Sequence, residues 1–186
     1  QGHRSHDDIA KAIEAMTHIT WLYMDDFYDY PKAVSYNLRA KELAEQHQIL
    51  DYMPFILNND AVILGLLDGY ENKRDFSADV INLHKRSFAL AFQDRLWYAM
   101  YVSYINMVMR TVFVGKEELI ENEMSLIKRV HPSDSVTHFK YARCLTDGII
   151  ARRHHQLDSA IVYFKHLLEI SQEFGLSGQT ALSKII

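Results

Sequence analysis

Tyr30-Pro31-Lys32-Ala33-Val34-Ser35-Tyr36-Asn37-Leu38-Arg39-Ala40 and Leu157-Asp158-Ser159-Ala160-Ile161-Val162-Tyr163-Phe164-Lys165-His166-Leu167 follow one pattern. In each, a large apolar residue is followed three positions later by Ala. After another three or four comes an aromatic, and then a small or apolar residue. That spacing puts the marked residues on one helix face, with Ala where a neighbouring helix must approach closely. Each stretch reads as the second helix of a helical hairpin. A chain built from repeated hairpins stacks them so that each covers its neighbour's apolar face, which leaves an extended surface for docking.

Outward from these stretches, apolar residues recur at helical spacing almost throughout, and no segment sustains the alternation of a strand. The spacing predicts eight helices. The first runs from about Asp8 to Phe27, with Ile9, Ile13, Met16, Ile19 and Tyr23 on one face. Pro31 fits the first turn of the second, which reaches about Gln48, and Pro54 plays the same part in the third. Asp68-Gly69 signals the end of the third helix after Leu67, and Asp75 can cap a fourth that extends to about Phe92. Asp94 can cap the fifth, closed by Gly115, and the sixth spans Lys116 to Val130. Pro132 halts it, Ser133 or Asp134 caps the seventh, and the seventh reaches Arg153. The eighth runs from Leu157 to Phe174, with Gly175 as a left-handed cap.

Paired in order, these helices make hairpins over about 8–48, 51–92, 94–130 and 134–174. The second helix of each opens near Tyr30, Phe76, Lys116 and Leu157, at intervals of 46, 40 and 41 residues. A period near 40 is the mark of stacked repeats. The expectation is an all-α fold with one repeat domain over 4–176. Gln1-Gly2-His3 looks like a vector or protease-site remnant, and 177–186 read as the opening of a ninth helix in a chain cut from a longer protein.

Composition narrows the classes. With 186 residues, 48% of them hydrophobic, the chain can build one sizeable core or a short solenoid. Seven Gly and three Pro leave no linker-like stretch. A net charge of −4 supplies no basic stripe for nucleic acid. The single cysteine, Cys144, excludes an internal disulfide framework and a multi-cysteine metal site. The longest apolar run, Leu96 to Met109, is shorter than the roughly 18 residues that a membrane-spanning helix requires, so no membrane insertion is expected. The cytoplasm is the expected compartment, with the periplasm left open.

On Tyr30, Ala33 and Ala40, and on Gly148, Leu157, Ala160, Phe164 and Leu167, the chain resembles the tetratricopeptide repeat family, notably its longer-period members in kinesin light chains and bacterial regulators. Tyr36 lies one place before the usual aromatic position. Leu57-Asn58-Asn59-Asp60-Ala61-Val62 is similar to the Asn-Asn-Leu-Ala run of kinesin-light-chain-like repeats, with Asp60 in place of Leu. The middle repeats depart from the pattern: Asp79 stands where Ala is expected, and the third repeat fits two registers. The resemblance implies a right-handed superhelix of about four antiparallel hairpins, an α-solenoid, whose concave face is made by the first helix of each hairpin. Family members often use Asn there to bond a peptide backbone. Asn59 occupies the matching position beside Asn58, and Asn106 does so in one of the two registers of the third repeat. An amide carries both donor and acceptor, which suits a peptide bond. Each could equally cap or bridge neighbouring helices.

The fifth helix is rich in rings and Met: Trp97, Tyr98, Tyr101, Tyr104, Met107 and Met109. A helix apolar all round is normally buried, yet tyrosines carry polar tips that suit a groove, and Tyr101 and Tyr104 are candidates to line one. Catalytic and metal chemistry find little support. His154-His155 with His166, and His3 with His6, are not at ligand spacing, adjacent histidines diverge on a helix, and Arg152-Arg153 would repel a cation. His6-Asp7-Asp8 reads as an N-terminal cap. The pairs Asp25-Asp26 and Glu117-Glu118 sit at helix ends, where solvated acids are ordinary. No phosphate loop or nucleophile motif is present. The expected function is therefore a non-catalytic module that binds a protein or peptide segment, with no cofactor, as part of a larger bacterial regulatory or signalling protein. The alternatives are a scaffold that oligomerises through exposed terminal repeats, and a helical enzyme or cofactor binder.

Overall fold

The computed structural model describes residues 5–71, 78–112, 115–130 and 136–173. Among them the chain is all-α, with no strand. The helices are α1 (His6–Asp25), α2 (Tyr30–His47), α3 (Met53–Glu71), α4 (Ala78–Gln93), α5 (Trp97–Thr111), α6 (Glu121–Arg129), α7 (Val136–Arg153) and α8 (Leu157–Glu173). Short 3₁₀ turns, Leu50–Tyr52 and Glu117–Ile120, lead into α3 and α6. The chain divides into two compact units, 1–103 and 104–186, with the boundary inside α5.

Local chemistry sets the helix starts. Ser5 and Asp8 form a reciprocal capping box at α1. Asp29 accepts from the Lys32 backbone N–H at the start of α2, and Pro31 occupies the first turn as its spacing predicts. Helix ends obey a different rule. After α2, α4, α5 and α7 one residue turns left-handed: Gln48 (φ 56°), Arg95 (φ 57°), Gly115 (φ 69°) and His155 (φ 60°). The next residue's N–H then reaches back five positions: Ile49 to Ala44, Leu96 to Ala91, Lys116 to Thr111 and Gln156 to Ala151.

These ends correct three of the expected boundaries. The α3 helix continues through Asp68-Gly69 to Glu71, because an Asp-Gly pair only weakens a helix that packing can carry onward. Asp94 does not cap α5; it belongs to the left-handed turn closed by Arg95, and α5 starts at Trp97. The stretch after Gly115 opens as a 3₁₀ turn and becomes α-helical only at Glu121. The expected caps Asp75, Ser133, Asp134 and Gly175, together with Phe76, 1–3 and 177–186, lie outside the described residues.

In the first unit α1 packs against α2, α3 against α4, and α3 also against both α1 and α2. The buried stripe of α1 is Ile13, Thr17, Thr20 and Met24; that of α2 is Ala33, Asn37, Ala40 and Ala44. Both follow the i, i+4, i+7, i+11 spacing of a core-facing seam. The alanines of α2 leave room for the larger residues opposite, so Ile13, Ala40, Ala44, Ile49 and Ile56 close into one cluster, and Met24, Ala33 and Ile63 into another. Full burial of Ile13 or Ile56 contributes about 1.5–3 kcal/mol each. In the second unit α7 packs against α8, where Ala160 is buried and the Phe164 ring lies over Gly148.

Several buried hydroxyls are answered within their own helices, whereas Ser87 of α4 donates to the Pro54 carbonyl of α3. Thr20 donates to the Met16 carbonyl, Thr111 to Met107, Thr146 to Ala142 and Ser171 to Leu167, each four residues back. Interhelical polar bonds concentrate on Asn37 of α2. Its amide donates to the Ile56 carbonyl at 3.0 Å and to the Asp60 carboxylate at 2.6 Å, both on α3. Asp60 in turn lies 3.7 Å from the Lys41 ammonium.

Candidate binding cleft

The five residues expected to face a ligand are mostly in the core. Asn59 is fully buried: its amide reaches the Thr17 carbonyl of α1 at 3.5 Å and the Asn37 side chain of α2 at 3.3 Å. Asn58 is buried on the other side of α3, against His84 of α4, with the Asn58 Oδ1 and His84 Nδ1 3.0 Å apart. Successive helix residues diverge by about 100°, so two adjacent amides serve two different neighbours. Tyr101 and Tyr104 are buried as well, and Asn106 is half-buried. The expectation that Asn59, Tyr101 and Tyr104 stand open to solvent is corrected on this ground. Burial pushes the Tyr104 hydroxyl up to about 12; the Asp147 carboxylate adds to the rise, while a hydrogen bond with Thr146 and the Arg143 charge oppose it.

A different set of side chains lines an open concavity in the first unit. Glu14, Thr17 and His18 of α1, Tyr52 at the end of the 3₁₀ turn, Phe55 of α3 and Tyr98 of α5 surround a cleft of about 260 Å³. Three consecutive features of the sequence place them. Glu14 and His18 are one turn apart and flank the exposed side of the Ile13–Thr17 stripe. The turn Leu50–Tyr52 swings Tyr52 ahead of α3, and Phe55 follows it by three positions, one helical turn on. The left-handed Arg95 starts α5 so that Tyr98, in its first turn, is 54% exposed while Tyr101 and Tyr104 turn inward. The Phe55 and Tyr98 rings meet with centroids 6.1 Å apart and planes tilted by 33°.

The lining is mainly apolar ring surface with polar groups at the rim. Thr17 is buried and engages its own helix at the Glu14 carbonyl, 2.7 Å away, so it offers the cleft its methyl group and little else. Burial raises the Tyr52 hydroxyl above its ordinary value, and the carboxylates of Glu14 and Asp51 push it further. Of these residues only Tyr98 stands out in the sequence, as one ring in an aromatic helix. Tyr52 and Phe55 sit on either side of Pro54, and aromatic residues at a helix entrance are a signal that would have pointed to the cleft.

Among the described residues no group of three or more His, Cys, Asp and Glu could hold a metal ion, and no helix is long and apolar enough to cross a membrane. Comparison with protein-family models, with curated proteins and with solved structures finds no match, so the resemblance to tetratricopeptide repeats rests on the residues of this chain.

Proposed function

We propose that this chain is a non-catalytic binding module: a tetratricopeptide-like right-handed superhelix whose first helices present a cleft to a peptide or protein segment. The observation that carries this reading is the origin of the cleft's walls. They come from α1, from the entrance of α3 and from α5, which open the first three expected hairpins. That is the face on which tetratricopeptide repeats bind extended ligands. The packing of α3 on both α1 and α2 supports the repeat reading, since a following hairpin's first helix covers the whole of the preceding hairpin. By analogy with long-period members of that family, the module is the sensory or interaction part of a larger bacterial regulatory or signalling protein acting in the cytoplasm.

Peptide display against the immobilised protein tests the reading. The enriched peptides should lose tenfold or more in affinity on Tyr98→Ala, a change at a half-exposed ring that keeps the chain folded and lowers the thermal melt only by the lost contact with Phe55. Peptides that bind Tyr98→Ala and the native chain equally would remove the cleft from the binding surface.

One observation favours a second reading, assembly. Helix α8 carries Leu157, Ile161 and Leu168 along one side at 61, 52 and 41% exposure. An apolar band of this kind on a soluble helix is a place where another subunit can pack. Light scattering of the native chain and of Ile161→Glu separates the two: a mass that falls to 21.7 kDa only in the variant supports assembly.

A further inference from the structure

We infer that the cleft on α1, α3 and α5 takes the cationic side chain, lysine or arginine, of a basic peptide, seated on aromatic ring faces and held by the Glu14 carboxylate. This rests on the peptide-binding reading above and names the chemistry of its anchor.

Size comes first. A volume of about 260 Å³ is below the roughly 300–1,000 Å³ of pockets that enclose drug-sized ligands, so the space suits one long side chain entering from a longer segment. The walls come next. Tyr52, Phe55 and Tyr98 contribute three rings, and the 6.1 Å contact between Phe55 and Tyr98 joins two of them into a continuous surface. Ring faces carry the negative side of the aromatic quadrupole, so they attract an ammonium or guanidinium lying over them while also accepting its methylene stem.

Charge then fixes the sign. Glu14 is exposed at the rim and forms no ion pair among the described residues. Its carboxylate and that of Asp51 both raise the Tyr52 hydroxyl, after burial, which means that their negative field reaches the ring inside the cleft. The lining residue able to carry positive charge is His18, one turn from Glu14. An acidic side chain entering here would meet Glu14 with like charge. A purely apolar one would cover the carboxylate's surroundings and give nothing in return for its lost hydration. A lysine or arginine satisfies both the rings and the acid.

The test is an amide-resolved NMR titration of the whole chain with four pentapeptides, acetyl-Gly-Gly-Xaa-Gly-Gly-amide with Xaa as Lys, Arg, Leu or Glu, up to about 10 mM to reach weak single-anchor affinities. The Lys or Arg peptide should shift the amides of Glu14, His18, Phe55 and Tyr98 and bind at least fivefold more tightly than the Leu and Glu peptides. Glu14→Gln and Tyr98→Ala, both at exposed positions, should each weaken that binding fivefold or more, with the thermal melt unchanged in Glu14→Gln and the chain still folded in Tyr98→Ala. Raised salt should weaken it too. If the Leu peptide shifts the cleft as strongly, if the Glu peptide is preferred, or if Glu14→Gln changes nothing, the cationic anchor is overturned while peptide binding stands. If no peptide shifts the cleft amides, and display-selected peptides shift none either, both readings fall.

Discussion

The Phe164 ring of α8 lies so close to Gly148 of α7 that a Cβ placed on Gly148 would stand 2.7 Å from the ring's Cε1. No real side chain contact is that short, so any larger residue at 148 must displace the ring or push the helices apart. Gly148→Ala should therefore lower the urea midpoint, at an overpacking cost of about 1–3 kcal/mol less the roughly 1 kcal/mol that Ala gains over Gly inside a helix. Trimming the ring by Phe164→Leu in the same chain should recover part of the loss. Additive costs in that double-mutant cycle would show that the two positions do not press on each other.

Asn37 answers the Ile56 carbonyl and the Asp60 carboxylate from a position that is 1% exposed. Asn37→Ala removes a charge-assisted bond and leaves both acceptors without it, so a loss of about 2–4 kcal/mol in chemical denaturation is expected. Asn59→Ala belongs to the same core and should likewise be read in stability, leaving cleft binding in place. A cycle pairing Asn37→Ala with Asp60→Ala should show coupling above about 0.5 kcal/mol.

Tyr104 gives the fold an alkaline limit. Its hydroxyl is raised from 10.0 to about 12, chiefly by burial, so the folded state holds the proton that the unfolded chain releases first. Stability is fully present below about pH 10 and falls as pH climbs toward 12, by about 1.4 kcal/mol per pH unit from this group. Burial raises Tyr141 as well, and its contribution has the same sign. Denaturation curves between about pH 9 and pH 11.5 should show this slope, and Tyr104→Phe should flatten it. An unaltered slope in the variant would assign the alkaline loss to other groups.

Arg95 holds a left-handed backbone that costs a side-chain-bearing residue about 1 kcal/mol, and it projects into solvent. Arg95→Gly should raise stability by about 0.5–1 kcal/mol, less what glycine loses in the freer unfolded chain. A drop in the melting temperature would mean that the arginine side chain contributes a contact of its own.

Much of the helical order is legible in the residues themselves: Pro31 announces α2, and Ile13 lies on the face that α1 buries, while the expected Ile9, Met16, Ile19 and Tyr23 are only half-buried and Thr17, Thr20 and Met24 complete the stripe. What stays hidden has a physical cause in each case. Three of the four left-handed helix ends carry Gln48, Arg95 and His155, where the familiar glycine is absent, so nothing in the residue type marks the stop. Asn58 and Asn59 read equally as groove amides or as bridges between helices until α2 and α4 are in place to answer them, because satisfaction of a buried polar group is a tertiary property. The cleft escapes for the complementary reason. Its rings come from positions spread over Tyr52 to Tyr98, and only the turn at Leu50–Tyr52 and the start of α5 after Arg95 bring them to one opening.

Hydroxyls that bond the carbonyl four residues back, as Thr20 does, show a neighbouring helix only their carbon atoms. A seam of such residues and alanines is smooth: Ala33, Ala40 and Ala44 offer the same small profile at successive turns, and a partner helix could slip along them by one turn at modest loss. Asn37 removes that freedom, because a slip of α3 would part it from Ile56 and Asp60 at once. Asn37, joined by Asn59, thus acts as a key in a lock of otherwise interchangeable notches, and an error in folding that leaves every apolar contact nearly intact would be rejected where these two amides meet.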